Sequence, residues 1–301
     1  EQYLRFQDVL SNLVQTLGEG YALQKQDIFC RQAYHHDVPE DAEFLTRSYF
    51  RYFEGREFTE IRTYLVITQE AQRGQFVQYD PKKWAEFHSK VAKAEDVLNE
   101  RHIRHRRLTK DEVDEYLKVG GCVVRSYPLV DIDEINLPSR IRPYTQASVN
   151  GYGIATDLFS FLTSVPHADC VVYNQVVQIP GQRKLLRKLQ AKAKRHGSMP
   201  DPSNRIAKAD IEEVLEKLAV DSSLLVYANF NILVSCPADK VTPVTSYLET
   251  KLYGCGIMPS RTAYNQLELF TDSFPGNAYA FNPDYDLFLT LSDAALCFFF
   301  K

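Results

Sequence analysis

Residues 224–236 read LLVYANFNILVSC. Side chains alternate along this stretch for more than ten positions and are rich in aromatic and β-branched types, the pattern of a strand whose successive residues face opposite sides of a sheet. On its N-terminal side, KADIEEVLEKLAV (208–220) has the spacing of a helix with Ile211, Val214, Leu215 and Leu218 inward. SMPDPSN (198–204) separates that helix from QRKLLRKLQAKAKRHG (182–197), a basic helix, and DCVVYNQVVQI (169–179) precedes it as a second strand. On the C-terminal side, PADKVTPVTSYLETKLYG (237–254) reads as a helix with Pro237 near its start, ended by Gly254 and Gly256. IMPSRTAYN (257–265) reads as a last strand, followed by a helix, an FPGN turn and a terminal helix from about 286.

The first half of the chain has the same vocabulary. Phe6, Val9, Leu10, Leu13 and Leu17 share one face of a helix over about 2–17, which Gly18 and Gly20 stop. Residues 20–30 form a strand in which Tyr21, Leu23, Lys25, Asp27 and Phe29 alternate with Ala22, Gln24, Gln26 and Ile28. The spacing predicts a loop at 35–42, a helix over 43–53 with Phe44, Leu45, Tyr49, Tyr52 and Phe53 on its buried side, and a strand over 59–68. A long helix over about 82–101 carries Trp84, Phe87, Val91, Ala94 and Leu98 as its stripe. RHIRHRRL (101–108) reads as a short edge strand or the tail of that helix. Thr109 and Glu112 open a capping box for a helix over 109–118 that Gly120 and Gly121 end. CVVRSYPLV (122–130) is a strand, 132–153 a long loop with short irregular strands, and ATDLFSFLTSV (155–165) a short helix.

Element order predicts an α+β fold built of two tandem ferredoxin-like units, each a split β-α-β repeat with helical insertions, the first lacking its N-terminal strand. The expected boundaries are 1–119 for the first unit, 120–273 for the second and 274–301 for a C-terminal helical segment leading to a further domain. The length, 301 residues, agrees with about two domains at roughly 150 residues each.

Composition excludes several classes. Hydrophobic residues make up 45% and charged residues 25%, too apolar and too balanced for a disordered chain. The net charge of −4 argues against a broadly basic nucleic-acid binder, although not against a local basic patch. No run approaches the length of a membrane-spanning helix, and no signal peptide is visible; a trimmed start would have removed one. Cys30, Cys122, Cys170, Cys236, Cys255 and Cys297 are too widely spaced for a zinc or disulfide framework and read as reduced thiols in a reducing compartment.

Catalytic motifs are sparse. The sequence contains no GxxxxGK[ST] phosphate cradle and no GxSxG elbow, and GYGIAT (151–156) lacks the third glycine of a dinucleotide fingerprint. His35, His36 and Asp37 read as a solvated loop rather than a metal site, and His102 and His105 sit among Arg101, Arg104, Arg106 and Arg107, which repel a cation. Asp131 and Asp133 with Glu134, and Asp284 with Asp286, have the DxD pattern that can hold Mg²⁺ against a substrate phosphate, but as isolated tripeptides they read as solvated loop ends. No catalytic, nucleotide-binding or metal residue is assigned.

The sharpest charge feature is the basic helix. Arg183, Lys184, Arg187, Lys188, Lys192, Lys194 and Arg195 place seven positive charges within 13 residues with no acid between, while Leu185, Leu186 and Leu189 supply the buried side. Such a helix is suited to anionic lipid headgroups or nucleic-acid phosphate, or it is simply a solvated outer face. Tyr64, Tyr173 and Tyr227 are strand aromatics that either stack nucleic-acid bases or fill the core.

Six strings, in this order and spacing, resemble one family: LQKQDIF (23–29), FLTRSYFRYFEGREFTEIRTYLVIT (44–68), VVYNQVVQI (171–179), YANFNILV (227–234), FPGNAYAF (274–281) and ALCFFF (295–300). The family is the TraG-type conjugative-transposon ATPase of Bacteroides-like bacteria, related to the VirB-type ATPases of type IV secretion. The similarity covers essentially the whole chain and the family's N-terminal region. The 101–125 and 132–153 stretches resemble it less and receive no family role.

The resemblance implies a docking and assembly domain involved in conjugative DNA transfer, with no chemistry of its own. ATP and Mg²⁺ would belong to a C-terminal P-loop domain that the family carries beyond these residues. It implies inner-membrane subunits of the conjugation apparatus and other copies of the chain as partners, at the cytoplasmic face of the bacterial inner membrane. The residues themselves leave two alternatives open: a nucleic-acid-binding module using 183–195, and a metal-dependent enzyme using a DxD pair.

Overall fold

Strand β1 (Tyr21–Ala33) is hydrogen-bonded along both edges, and this organises the molecule. The computed structural model describes residues 2–38, 43–70, 80–108, 122–129, 145–149, 152–198, 201–220, 223–257, 265–282 and 285–300. On one edge of β1 lies β2 (Glu57–Gln69), with Tyr21 opposite Gln69; on the other lies β6 (Cys170–Ile179), with Tyr21 opposite Ile179. Beyond β6 comes β7 (Leu225–Cys236), whose far edge is shared end to end by β3 (Val123–Pro128) and β8 (Phe288–Leu291). The order is β2-β1-β6-β7-β3, with β8 also paired to β7, and each pairing is antiparallel. A separate ribbon joins β4 (Thr145–Val149) to β5 (Tyr152–Thr156).

Register assigns the faces. Asp27 lies opposite Tyr173, which lies opposite Ile232, so odd positions of β1 and β6 share a face with even positions of β7. Tyr21, Leu23, Val171, Tyr173, Val177, Phe230, Ile232 and Val234 point there into the main core. They meet α1 (Gln2–Leu17) through Val9, Leu10, Leu13, Val14 and Leu17, and α6 (Val241–Gly254) through Val244, Leu248 and Leu252. Phe159, beside a 3-10 turn at Ser160–Ser164, and Phe298 complete an aromatic cluster: Phe159 lies 4.7 Å from Tyr173, and Phe298 stacks on Phe230 at 5.0 Å. Helix α3 (Pro81–Glu100), capped by Asp80, packs on α1 and buries Ala94. The opposite face is covered by the chain around α7 (Gln266–Asp272) and the turn after it, where Leu269, Ala278, Phe281 and Leu287 pack on Ala22 and Val176.

The α+β class is as read from the sequence, and the strands expected at 20–30, 59–68, 122–130, 169–179 and 224–236 are all present. Strands assigned to two units nevertheless lie in a single sheet, because β6 pairs with β1 over ten residues and joins the 1–119 strands to those of 120–273. The stretch after 286 is first a strand, β8, and only then the short helix α8 (Ser292–Leu296): a free length of β7's edge, from Leu225 to Ala228, accepts it. The helix expected at 155–165 is instead the end of β5 and the 3-10 turn, since the Asp157 carboxylate accepts the Phe159 N–H at 2.8 Å and closes a tight turn. At 101–108 the chain is neither strand nor helix. Ile257 is buried outside any strand, and the rest of 257–265 apart from Asn265 lies outside the described residues, as do 109–121 and 130–144.

Helix α2 (Phe44–Phe53) is correctly placed, but its expected buried side is open. Phe44, Leu45, Tyr49 and Tyr52 are 60–78% exposed and no residue of α2 is buried. The helix bridges β1 and β2 past their last pair, Ala33 with Glu57, beyond the end of the paired strands. Periodicity reports that a helix is two-sided, not that something covers the apolar side.

Candidate functional site: a cationic helix and an amide-lined sheet face

The basic segment is helix α4 (Gln182–Gly197), which pairs with α5 (Pro202–Val220). Its first residue fixes its origin. Gln182 donates from Nε2 to the Leu225 carbonyl at 2.9 Å and accepts from the Leu225 N–H at 2.8 Å, while its own N–H reaches Glu19 Oε1 at 2.9 Å. His196 Nδ1, 2.7 Å from Asn204 Oδ1, ties the far end to α5. Because β6 ends opposite the start of β1 and α2 follows the end of β1, α4 and α2 leave opposite ends of the sheet.

All seven predicted cations lie on the surface of α4. At 100° per residue they fall within an arc of about 180°, spread over roughly 18 Å of helix axis. Arg183, Arg187 and Lys194 form one edge, Lys188 and Lys192 the other, with Lys184 and Arg195 between. Leu185 and Ala193 are buried on the opposite side. Among the described residues no carboxylate lies within ion-pair distance of these seven, whereas two cations of α5 are paired: Lys208 with Glu212 at 3.5 Å and Lys217 with Glu213 at 2.7 Å. An open cleft of about 640 Å³ runs between the two helices, lined by Gln190, Lys194, Lys208, Glu212 and Leu215. Lys194, Arg195 and His196 in the last turn also face the negative end of the helix dipole.

The covered sheet face carries a belt of amides that sequence reasoning did not single out. Gln24 and Gln26 on β1, Asn174 and Gln178 on β6, and Asn229 and Asn231 on β7 are all buried there. Gln24 Nε2 donates to Asn174 Oδ1 at 2.8 Å and to the Ser273 carbonyl at 3.2 Å, and Gln24 Oε1 accepts from the Gly276 N–H at 3.1 Å. Gln26 donates to the same two acceptors. Gln178 donates to the Ala278 carbonyl at 2.7 Å, Asn229 to the Asp286 carbonyl at 2.8 Å and Asn231 to Ser273 Oγ at 3.0 Å. Three strands thus hold the covering chain at Ser273, Gly276, Ala278 and Asp286, mostly through its backbone.

The core face holds a buried charge pair, Lys25 with Asp27. Thr63 Oγ1 and Gln175 Nε2 also donate to Asp27, at 2.6 and 2.7 Å, and Gln175 Oε1 accepts the Phe300 N–H at 2.9 Å. Burial pushes the Lys25 ammonium below the usual lysine range, against the attraction of Asp27 and Asp157. Burial likewise raises the Tyr173 phenol, whose OH donates to the Phe298 carbonyl at 2.8 Å. Tyr173 is fully buried, so it offers no base-stacking surface; Tyr64 and Tyr227 are half-buried.

Other candidates do not converge. His35 pairs with Glu54 at 2.5 Å and His36 stacks on Phe50 at 4.2 Å. His105 Nδ1 lies 3.0 Å from the Ile103 carbonyl, and Arg107 engages Glu95 through both Nε and Nη2. Asp131, Asp133, Glu134 and Asp284 lie outside the described residues. Asp286 approaches Glu268 and Asp272, with carboxylate oxygens within 4.8 Å of one another. Burial and its two acidic neighbours raise the Asp272 carboxyl. A cation would fit these oxygens, but acidic groups of this kind are common without one. No helix among the described residues is long and apolar enough to cross a membrane. No protein-family model matches the chain, and no curated protein shows significant similarity to it.

Proposed function

We propose that the chain is a docking and assembly module of a TraG-type conjugation ATPase, peripheral at the cytoplasmic face of the bacterial inner membrane. In this reading it does not turn over ATP itself; ATP and Mg²⁺ belong to the P-loop domain characteristic of such enzymes, and the partners are inner-membrane subunits and further copies of the chain. The observation that carries the reading is the convergence of separate strings. LQKQDIF, VVYNQVVQI, YANFNILV and FPGNAYAF are far apart in sequence, yet their amides and backbone meet in one hydrogen-bonded belt. The strings that resemble the family thus build one part of the sheet face together, which is what supports this reading.

Producing the chain in trans in a donor cell that carries such a conjugative element tests this reading. Excess docking module should occupy the partner sites and lower transfer frequency by about tenfold or more, consistent with the loss of a multi-subunit interaction. Unchanged transfer at high expression, or ATP hydrolysis by the purified chain, would overturn it.

A second reading, a nucleic-acid-binding module, is favoured by the seven cations on one side of α4, which meet no carboxylate among the described residues. Retardation of single-stranded DNA at low salt, abolished by reversing Arg187, Lys188 and Lys192, supports it; absence of retardation at low salt excludes it.

A further inference from the structure

Cys30 and Cys170 lie 140 positions apart in sequence and directly opposite one another on β1 and β6, with their sulfurs 3.0 Å apart. Register explains the closeness. The Arg31 N–H donates to the Asp169 carbonyl at 3.0 Å, which makes 31/169 a hydrogen-bonded pair. Pair classes alternate along an antiparallel ladder, so 30/170 is a non-hydrogen-bonded pair, the class with Cα atoms about 4.5 Å apart and side chains closest. That separation falls within the range a disulfide spans. Both residues are half-buried, on the sheet face covered farther along by residues 273–281, so a small molecule reaches them.

From this geometry we propose that Cys30 and Cys170 form a dithiol modification site that exchanges with low-molecular-weight disulfides and reversibly cross-links β1 to β6. Cys30 is the attacking sulfur. It lies across from Glu60 of β2, which is paired with Arg62 at 2.8 Å. The contact with the Cys170 sulfur, then the Arg62 charge, hold the Cys30 thiol down to about 7 against burial and Glu60. The same contact, burial and Asp169 raise Cys170, which keeps its proton until it acts as the resolving thiol.

The exchange balances. The Cys30 thiolate attacks one sulfur of the small disulfide, that S–S bond breaks, and the first thiol leaves. Cys170 then attacks the Cys30 sulfur of the mixed disulfide, and the second thiol leaves. Two protein thiols are oxidised to one disulfide, one small disulfide is reduced to two thiols, and the two thiol protons end on those products. The bond forms at the seam where β1, and with it β2 and α2, joins the rest of the sheet.

The test treats the full chain with oxidised glutathione, alkylates the remaining thiols and maps peptides without reduction. The expected product links the Cys30 and Cys170 peptides, weighs two hydrogens less and reverts with dithiothreitol. In Cys170→Ser, glutathione should remain trapped on Cys30. In Cys30→Ser, modification of Cys170 should slow by about tenfold or more. Cys122 is exposed, with its Sγ 3.4 Å from Asp169, so Cys122→Ser is the control and should keep the link. Glutathione adducts without a link in the folded wild type, loss of the link in Cys122→Ser, or equal rates in both single variants would overturn the proposal.

Discussion

Gln24 on β1 and Asn174 on β6, 150 positions apart, share a 2.8 Å hydrogen bond beneath the turn that carries Gly276. Gln24 also serves the Ser273 carbonyl and the Gly276 N–H, so one side chain joins two strands to the covering segment. Replacing it with the apolar Gln24→Leu would leave Gly276 N–H without that acceptor and remove a donor from Asn174. Removing this much buried hydrogen bonding should cost about 3 kcal/mol. Urea unfolding measures the cost, and amide exchange should accelerate first around Ser273 and Gly276, which these hydrogen bonds tie to the sheet. Unchanged exchange there would mean that the apolar packing of Leu269 and Phe281 suffices.

The same belt shows why part of the fold was legible in the sequence and part was not. Alternation in 224–236 and 20–30 locates the strands, because a two-residue period survives whatever each face touches. It cannot say that the polar positions Gln24, Asn174 and Asn231 are buried, because their cover is a backbone that presents carbonyls and N–H groups rather than water. Nor does local sequence reveal that Cys30 meets Cys170, since register between strands 140 positions apart is set by the completed sheet. The bounds and the cationic side of the basic helix were legible, but of the three leucines expected on its buried side only Leu185 is buried, while Leu186 and Leu189 are half-buried.

Lys25 and Asp27 provide a prediction with a pH signature. Asp27→Asn leaves a buried ammonium without its carboxylate and should cost about 3–5 kcal/mol near neutral pH. In the wild type the folded Lys25 pKa is already lowered. Between that value and the ordinary lysine value the unfolded chain binds more protons, so stability from this group rises with pH across the window. Removing Asp27 takes away the largest of the influences that raise the pKa, which extends the window downward. The penalty of Asp27→Asn relative to wild type should therefore shrink as pH rises through the interval between the variant's lowered value and the wild type's, and level off above it. A penalty independent of pH would locate the damage in the Thr63 and Gln175 hydrogen bonds instead.

Helix α2 separates what periodicity predicts from what the fold does. If Leu45 were buried, Leu45→Ser would cost about 2–5 kcal/mol as a core truncation. At 76% exposure it should change stability by no more than about 0.5 kcal/mol. Thermal melting of Phe44→Ser and Leu45→Ser decides between the two, and a large drop from either would show that the helix is covered in solution.

For α4 the expected outcome joins binding to stability. Arg187, Lys188 and Lys192 lie on the surface and have no acidic partner among the described residues, so reversing all three removes no described ion pair. Three like charges placed near other cations store repulsion, which the change to Glu relieves. The folded state should thus be unaffected or slightly stabilised, within about 0.5 kcal/mol. If α4 meets single-stranded DNA, each phosphate that the reversal releases lowers the dependence of log K on log salt by about 0.7, so the triple reversal should reduce the slope by about 2. Titrations at several salt concentrations measure that slope. Weaker binding with an unchanged slope would place the DNA elsewhere on the molecule, because released counterions record only the charges the nucleic acid touches.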